Sequence, residues 1–493
     1  MTTHGATIGR LPTGVRGLDQ ILGGGIPEFS FNLIAGTPGA GKTTLAHQMM
    51  FAMATPERPA LYFTVLGEPA LKMLRYQQQF AFFDPTRVNT AIRFVNLADD
   101  TADGDLEKVL TRIVEEVRAH SPAFVFVDSF RSVILASQGR GDAYLTLQEF
   151  VQRLGIMLTS WQATTFLLGE YFSDNDPNPI FTVADGLIWL RQSAQRNSVV
   201  RKLEIVKMRG QPTLPGLHTF RITDAGLQVF APAVITSAVV AGELAPLEDR
   251  RKMGVPGLDE MLGGGLPRGY SLLVAGPSGS GKSILAAAFL AEGARQGETG
   301  VIAAFEQRSL HSRGVLISGL IEAGRIGVVD TRAPTLSVDE IAFLLIEEVQ
   351  RLKATRVVID SLSGFELAIA PTFRDDFRES LARLVSALAD TGATVLMTSE
   401  LEDRYNELSF SPYGTAFLTD AIIVQRYIEV DSRLERVLAV VKVRGSAHSH
   451  DLRLFDINDG VVRLGERLAG HEGLLGGRPT RAPDPTALPK RDA

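Results

Sequence analysis

Short, almost wholly apolar runs recur along the chain, and longer stretches with helical periodicity separate them. Runs of this length and character are typical of strands in a parallel sheet that helices cover on both faces. The pattern therefore predicts an α/β fold. The runs are FNLIA (31–35), ALYFTVLGE (60–68), AFVFVDS (123–129) and TTFLLGE (164–170), then SLLVA (271–275), GVIAAFE (300–306), TRVVIDS (355–361) and ATVLMTSE (393–400).

The order of these runs occurs twice. VRGLDQILGGGIP (15–27) resembles VPGLDEMLGGGLP (255–267), and the two copies lie 240 residues apart. A repeat of this size indicates tandem domains and not a solenoid, whose repeats are roughly 20–50 residues long. We expect a first domain over residues 1–245, a second over 246–470, and a flexible tail over 471–493 that is rich in Gly, Pro and Arg.

Composition narrows the function classes. The formal net charge is −6 and neither half is strongly basic, which argues against nucleic-acid binding as the main function. The absence of cysteine excludes disulfides, Cys-based zinc sites and thiol nucleophiles. No apolar run approaches the roughly 18 residues of a membrane-spanning helix, and the first residues lack the apolar core of a signal peptide. We expect a cytoplasmic protein without a membrane partner.

Each half contains a sequence that fits the phosphate-loop pattern G-x-x-x-x-G-K-[ST], placed between a predicted strand and a predicted helix. In such a loop, backbone N–H groups surround the β-phosphate, the lysine reaches the β- and γ-phosphates, and the hydroxyl after it binds Mg²⁺. The predicted nucleotide-binding residues are Gly36, Thr37, Pro38, Gly39, Ala40, Gly41, Lys42, Thr43 and Thr44, and Gly276, Pro277, Ser278, Gly279, Ser280, Gly281, Lys282, Ser283 and Ile284.

Two aspartates are the candidate metal residues, together with the hydroxyls of Thr43 and Ser283. Asp128 and Asp360 each end an apolar run, which places a carboxylate at the carboxyl edge of the sheet beside the phosphate loop. There it would hold the Mg²⁺ shell. The chain has no Asn-Lys-x-Asp guanine-reading motif, so ATP is favoured over GTP.

Further charged residues are candidates for catalysis. Glu68 and Glu306 follow the strand after the phosphate-loop helix, where a carboxylate could orient or deprotonate an attacking water or hydroxyl. A Lys-x-Arg-Gly segment comes late in each repeat. Its cations suit an arginine-finger role, supplied within the subunit or from a neighbouring one. These cations are Lys207, Arg209, Lys442 and Arg444.

Together these residues resemble the KaiC family, tandem RecA-like ATPases of the P-loop class. The resemblance covers about residues 8–480 and includes IDSLSG (359–364), TDAIIVQRYIE (419–429) and GGRPTR (476–481). It implies two RecA-like domains, a double-ring homohexamer with ATP between subunits, slow ATP hydrolysis in the first ring and serine/threonine autophosphorylation in the second. The Lys-x-Arg-Gly cations would then act across the subunit boundary. The regulatory partner proteins are not indicated.

The chain departs from the family pattern at three places. The family has paired glutamates after the second strand, whereas this chain has Glu306 followed by Gln307 in the second repeat. In the first repeat the pair is replaced by Leu66 and Gly67, so that Glu68 is displaced by one residue.

The third departure concerns the adjacent Ser-Thr phosphoacceptors of the family. Their positions hold Ala416 and Phe417, which leaves Thr415 as the nearest candidate phosphoacceptor.

Two other functions remain open at this point. A RecA- or DnaB-type DNA motor would need a basic, aromatic-bearing loop, and the acidic balance of the chain opposes it. A nucleotide-stabilised scaffold would bind ATP in both repeats and hydrolyse little of it, which the displaced Glu68 favours for the first repeat.

Overall fold

The computed structural model describes most of the chain in two compact units, Met1–Ala231 and Pro232–Ala493. The predicted boundary between residues 245 and 246 lies outside the described residues. Those are residues 8–65, 70–101, 105–129, 143–172, 179–195, 198–232, 248–305, 314–329, 331, 336–369, 377–401, 418–430, 432–467, 471–472 and 480–481.

The first unit alternates strands and helices, as its apolar runs predict. Its strands are β1 Arg10–Leu11, β2 Ile26–Pro27, β3 Phe31–Gly36, β4 Ala60–Thr64, β5 Ile92–Asn96, β6 Phe124–Asp128, β7 Thr164–Glu170, β8 Gly186–Gln195, β9 Ser198–Met208, β10 Leu217–Thr223 and β11 Gly226–Val229. Its helices are α1 Leu18–Ile21, α2 Lys42–Met53, α3 Ala70–Gln77, α4 Ala98–Thr101, α5 Leu106–His120, α6 Ala143–Ser160 and α7 Ile180–Val183, with a 3-10 helix over Pro85–Arg87.

The second unit repeats this order. Its strands are β12 Arg250–Arg251, β13 Leu266–Pro267, β14 Ser271–Gly276, β15 Gly300–Ala304, β16 Ile326–Val329, β17 Arg356–Asp360, β18 Thr394–Glu400, β19 Ala421–Val430, β20 Arg433–Val443, β21 Arg453–Asn458, β22 Val461–Arg467, β23 His471–Glu472 and β24 Thr480–Arg481. Its helices are α8 Pro256–Met261, α9 Lys282–Arg295, α10 Gly314–Glu322, α11 Val338–Leu352, α12 Leu362–Ala368 and α13 Phe377–Asp390.

Among the described residues, each unit contains a nine-stranded sheet with the same plan. The order is β11-β10-β9-β8-β3-β7-β6-β4-β5 in the first unit and β22-β21-β20-β19-β14-β18-β17-β15-β16 in the second. The strands from β8 to β5, and from β19 to β16, run parallel. Each of the three remaining strands in each sheet pairs antiparallel with its neighbour. Two mostly parallel sheets flanked by helices confirm the predicted fold class.

Helices cover both faces of the first sheet, which explains why its central strands are apolar on both sides. One core cluster packs α2 residues such as Leu45 and Met49 against Tyr62 and Phe126 of the sheet. The other cluster packs α5 and α6 against the opposite face. The second unit has the same two layers. Burial of both faces stabilises the sheet through the apolar area removed from water.

The segment predicted as a tail contains some regular structure. His471–Glu472 and Thr480–Arg481 pair as two short antiparallel strands, while most of the remaining tail lies outside the described residues. No helix among the residues that the structure describes is long and apolar enough to cross a membrane.

Candidate functional site

The first phosphate loop connects β3 to α2 at the carboxyl edge of the sheet. Gly41 has φ 106° at the N-cap of α2, and a Cβ there would lie 2.7 Å from Cδ1 of Ile222. Only glycine satisfies both the backbone angle and the close approach. The loop thus presents the N-terminal end of a 12-residue helix, where unpaired N–H groups favour an anion.

Lys42 lies on the first turn of α2 and folds back over the loop. Its Nζ donates to the carbonyl oxygens of Gly36 and Thr37 at 3.1 and 2.9 Å. Burial lowers the pKa of the Lys42 ammonium, and the charges of Glu170 and Asp128 act in the opposite direction. The side chain is only 7% exposed. A buried cation held over a glycine-rich loop is suited to bind the phosphates of a nucleotide.

The second unit builds the same loop between β14 and α9. Gly281 has φ 99°, and a Cβ there would lie 2.4 Å from Cδ1 of Ile457. Lys282 donates to the carbonyl oxygens of Gly276 and Pro277 at 2.9 and 2.7 Å. The two loops therefore agree in backbone conformation, lysine position and the strand that packs against them.

Asp128 and Asp360 end β6 and β17, as the sequence predicts. Thr43 donates to Oδ2 of Asp128 at 2.9 Å, and Tyr62 donates to the same oxygen at 2.8 Å. Burial raises the pKa of the Asp128 carboxyl, while these two hydrogen bonds lower it. In the second unit Thr398 donates to Oδ1 of Asp360, which is 4% exposed.

The ligand set at this edge fits Mg²⁺. Thr43 and Asp128 supply a hydroxyl and a carboxylate that already lie in hydrogen-bond contact, and both are hard oxygen donors. Within the described part of the chain, no group of three or more His, Cys, Asp or Glu residues could hold a metal. A metal with so few protein ligands must take the rest from phosphates and water, which is the usual manner of Mg²⁺.

The Lys-x-Arg segments lie at the opposite edge of each sheet. Lys207, near the end of β9, donates to the carbonyl of Thr182 at 3.3 Å, and Arg209 pairs with Asp185 at 3.1 Å. Asp185 also accepts from the N–H of Phe31 at the start of β3. Gly36, where the phosphate loop begins, is five residues further along β3, or about 16 Å at roughly 3.3 Å per residue.

The second unit repeats this arrangement. Lys442 donates to the carbonyl of Thr419 at 2.5 Å, and Arg444 pairs with Asp420 at 3.5 Å. Burial and the neighbouring arginine lower the pKa of Lys442, as they do for Lys207. These cations therefore lie far from the phosphate loop of their own unit.

Three predicted residues lie outside the described residues: Glu68, Glu306 and Thr415. The family acceptor positions, Ala416 and Phe417, also lie in this part of the chain.

Sequence reasoning missed four side chains near the strand-end carboxylates. Tyr62 and Thr398 bond to the aspartates, and Glu170 and Glu400 end the strands that pair with Gly36 and Gly276. The glutamates carried a signal, since TTFLLGE and ATVLMTSE end alike in the two repeats. The hydroxyls of Tyr62 and Thr398 carried no such signal, because they lie on different strands in the two units.

A strand–phosphate loop–helix unit, with a carboxylate at the end of a parallel strand two places away in the sheet, defines the P-loop nucleoside-triphosphatase class. A family model described as "ATPase: KaiC" matches residues 11–234 and again residues 251–469. The chain therefore belongs to the KaiC ATPase family, and the predicted resemblance is confirmed.

Similar proteins span nearly the whole chain. The circadian clock oscillator protein KaiC of Picosynechococcus sp. is 25% identical over 490 residues, covering 96% of this chain and 92% of that protein. The protein of the same name from Thermosynechococcus vestitus is 25% identical, covering 97% and 93%. KaiC 1 of Synechocystis sp. is also 25% identical, covering 96% and 92%.

Proposed function

We propose that this chain is an ATPase with two Mg²⁺-ATP sites, one in a domain spanning residues 1–245 and one in a domain spanning residues 246–470. The observation that carries the proposal is the duplicated site. Each unit holds the ammonium of a lysine on two carbonyls of a glycine-rich loop at a helix N-terminus, and each ends the equivalent parallel strand in aspartate. Duplicated geometry of this kind is expected where both sites bind the same ligand.

Within each site we assign roles by position. Residues 36–44 and 276–284 surround the phosphates, with Lys42 and Lys282 on the β- and γ-phosphates. Thr43 and Ser283 would supply hydroxyl ligands to Mg²⁺, and Asp128 and Asp360 would hold its water shell. When bound, Mg²⁺ would neutralise charge on the β- and γ-phosphate oxygens.

The Lys-x-Arg cations complete the site of a neighbouring subunit. Arg209 pairs with Asp185 beside the start of β3, about 16 Å from the start of its own phosphate loop. Lys207 donates to the carbonyl of Thr182, three residues before Asp185, so neither cation contacts the nucleotide site of its own unit. Cations that neutralise the transferring phosphoryl group must touch it. We therefore infer a homohexamer in which ATP lies between subunits, and in which nucleotide state controls contacts with regulatory proteins.

The proposal also includes a serine/threonine autokinase activity in the second unit. Glu306 would act as the base, and Thr415 would be the acceptor because Ala416 and Phe417 have no hydroxyl. Transfer to Thr415 would be weak or absent, because this residue lies one position before the family acceptor positions. Hydrolysis is thus the main reaction, and its rate in the first unit depends on whether Glu68 can replace the missing pair.

Single-turnover hydrolysis of labelled ATP tests the proposal. We expect the purified chain to release phosphate with Mg²⁺ and not with EDTA, and we expect the Lys42→Ala, Lys282→Ala double variant to release none. The Lys42→Ala and Lys282→Ala single variants show how much of the hydrolysis each unit contributes. Binding without hydrolysis would favour a nucleotide-stabilised scaffold, and hydrolysis stimulated by single-stranded DNA would favour a DNA motor.

A further inference from the structure

The strand-end aspartates of the two units receive a hydroxyl hydrogen bond from opposite neighbouring strands. In the first unit the donor is Tyr62 on β4, fully buried, whose hydroxyl lies 2.8 Å from Oδ2 of Asp128. Tyr62 is two residues before Thr64, which pairs with Asp128 across the sheet. On the other side of β6, Leu168 of β7 pairs with Asp128 and offers no hydroxyl.

The second unit has the reverse arrangement. Ile302 stands two residues before Ala304, which pairs with Asp360, so Ile302 occupies the position of Tyr62. The hydroxyl comes instead from Thr398 on β18, which donates to Oδ1 of Asp360 and is fully buried. Thr398 follows Met397, which pairs with Ile359, so it occupies the position of Leu168.

The donor thus lies on one neighbouring strand in the first unit and on the other neighbouring strand in the second. This is expected if both aspartates require such a hydrogen bond and either strand can supply it. A buried carboxylate is stabilised by hydrogen bonds to its charged form, and a donor on one flank fixes the plane of the carboxylate. A second donor on the other flank is then unnecessary, so an aliphatic residue fills that position in each unit. If the hydroxyls only filled space in the core, no reason would exist for each unit to hold one of them and not both or neither.

We propose that Tyr62 and Thr398 are positioning residues with one role, which is to orient the strand-end aspartate for the Mg²⁺ shell. In the first unit Tyr62 and Thr43 both donate to Oδ2 of Asp128. The carboxylate is thus held by one residue of the sheet and by one residue of the phosphate-loop helix α2. The inference rests on the proposed function, because it assumes that Mg²⁺-nucleotide binds here.

The test moves the hydroxyl from one strand to the other. Full-length chain carrying Lys282→Ala, which silences the second site, serves as the parent. Tyr62→Phe removes only the hydroxyl, and Tyr62→Phe with Leu168→Thr supplies it from the opposite flank, as Thr398 does naturally. Leu168→Thr alone is the matched control. A fluorescent ATP analogue is titrated first in EDTA and then with increasing Mg²⁺, and thermal unfolding without nucleotide is recorded for each variant.

We expect Tyr62→Phe to weaken Mg²⁺ affinity about tenfold, the usual effect of losing a partner of a metal-site residue, while binding in EDTA stays at the parent's level. The double variant should recover most of the loss, and the control should bind Mg²⁺ as the parent does. Equal Mg²⁺ affinity in parent and Tyr62→Phe would overturn the inference. So would a loss of equal size in EDTA, or a double variant no better than Tyr62→Phe.

The parent distinguishes failure of the proposed function from failure of the role of Tyr62. A parent that binds no nucleotide under any condition refutes the proposed function of the first unit, and this inference with it. A parent that binds Mg²⁺-nucleotide normally, beside a Tyr62→Phe variant with unchanged Mg²⁺ affinity, refutes only the role of Tyr62.

Discussion

Arg356 lies fully buried in the second unit, where most proteins would place an apolar residue. Its Nε donates to Glu298 at 2.6 Å, and one terminal nitrogen donates to the carbonyls of Lys252 and Phe289 at 2.7 and 2.8 Å. The guanidinium also lies 4.6 Å from the centre of the Phe289 ring. Burial lowers the pKa of Arg356, and Glu298 opposes that effect.

Removing the partner of a buried charge is costly. We expect Glu298→Ala to lower the free energy of unfolding of the second unit by about 3 kcal/mol, since it leaves Arg356 uncompensated. The control is Glu28→Ala in the first unit, which removes a solvent-exposed pair with Arg58 and should cost less than about 1 kcal/mol.

Denaturant unfolding can follow the two units separately. Both tryptophans of the chain, Trp161 and Trp189, lie in the first unit. Tryptophan fluorescence therefore reports the first unit, while far-ultraviolet circular dichroism reports both. Glu298→Ala should shift only the dichroism transition. A shift of both signals, or of neither, would contradict the assignment.

At the level of residues, the sequence predicts placement on strands and helices where a motif dictates the backbone. Lys42, Lys282, Asp128 and Asp360 stand at the strand and helix ends that their motifs indicated. Tyr62 could not be predicted as a partner of Asp128, because its contact crosses between strands 66 positions apart in the chain. Such pairings depend on sheet order and register, which the apolar runs alone do not determine.

At the level of elements, the Lys-x-Arg segments owe their placement to a β-bulge. The pairing of β8 with β9 shifts between Leu187 and Ile188, and the pairing of β19 with β20 shifts between Ile422 and Ile423. In each case the extra residue is the valine before the lysine. A one-residue insertion reverses which face the following side chains occupy. The bulge thus sets the direction of Lys207 and Lys442, which no local sequence signal indicated.

These elements lead to a prediction about neighbouring subunits. We expect Arg444→Ala and Glu306→Gln chains, each weakly active alone, to regain activity when mixed. Some interfaces then combine an intact Arg444 from one chain with an intact Glu306 from the other. Phosphate release is measured after mixing over a range of ratios, in the Lys42→Arg background if the first unit dominates the signal.

The mixing experiment needs a control for the loss of an arginine that does not belong to the Lys-x-Arg segment. Arg463→Ala is a matched loss of an arginine from β22, away from the Lys-x-Arg segment, and should be as active alone as the parent. Activity of the Arg444→Ala and Glu306→Gln mixture that never exceeds the sum of the two parts would exclude action across subunits.

For the whole molecule, ATP is expected to drive assembly. A nucleotide held between subunits binds the assembled state better than the separate chain, so it stabilises the ring by mass action. Light scattering should show monomers without nucleotide and hexamers with Mg²⁺-ATP. Lys42→Ala should impair assembly more than Lys282→Ala if the first ring holds the hexamer together. A molar mass indifferent to nucleotide would refute the prediction.

Autophosphorylation would take place at the nucleotide site of the second unit in this assembly. A hydroxyl must approach in line with the γ-phosphate for transfer to occur. Thr415 lies one residue before Ala416, and in an extended segment a one-residue step points the side chain to the opposite face. A misplacement of about 1 Å already lowers rates roughly 100-fold. We therefore expect autophosphorylation to be weak or absent and, if present, to fall on Thr415 with Glu306 as the base.

Intact-mass analysis after incubation with Mg²⁺-ATP measures this directly. Slow, substoichiometric addition of one phosphate, lost in Thr415→Ala and retained in the neighbouring control Ser411→Ala, would support transfer to Thr415. Ala416→Ser restores a hydroxyl at a family acceptor position, one residue from Thr415 and on the opposite face of an extended segment, so this variant should phosphorylate faster than the parent. Stoichiometric phosphate on the parent chain within minutes would contradict the geometric argument, since it would require a hydroxyl already in line.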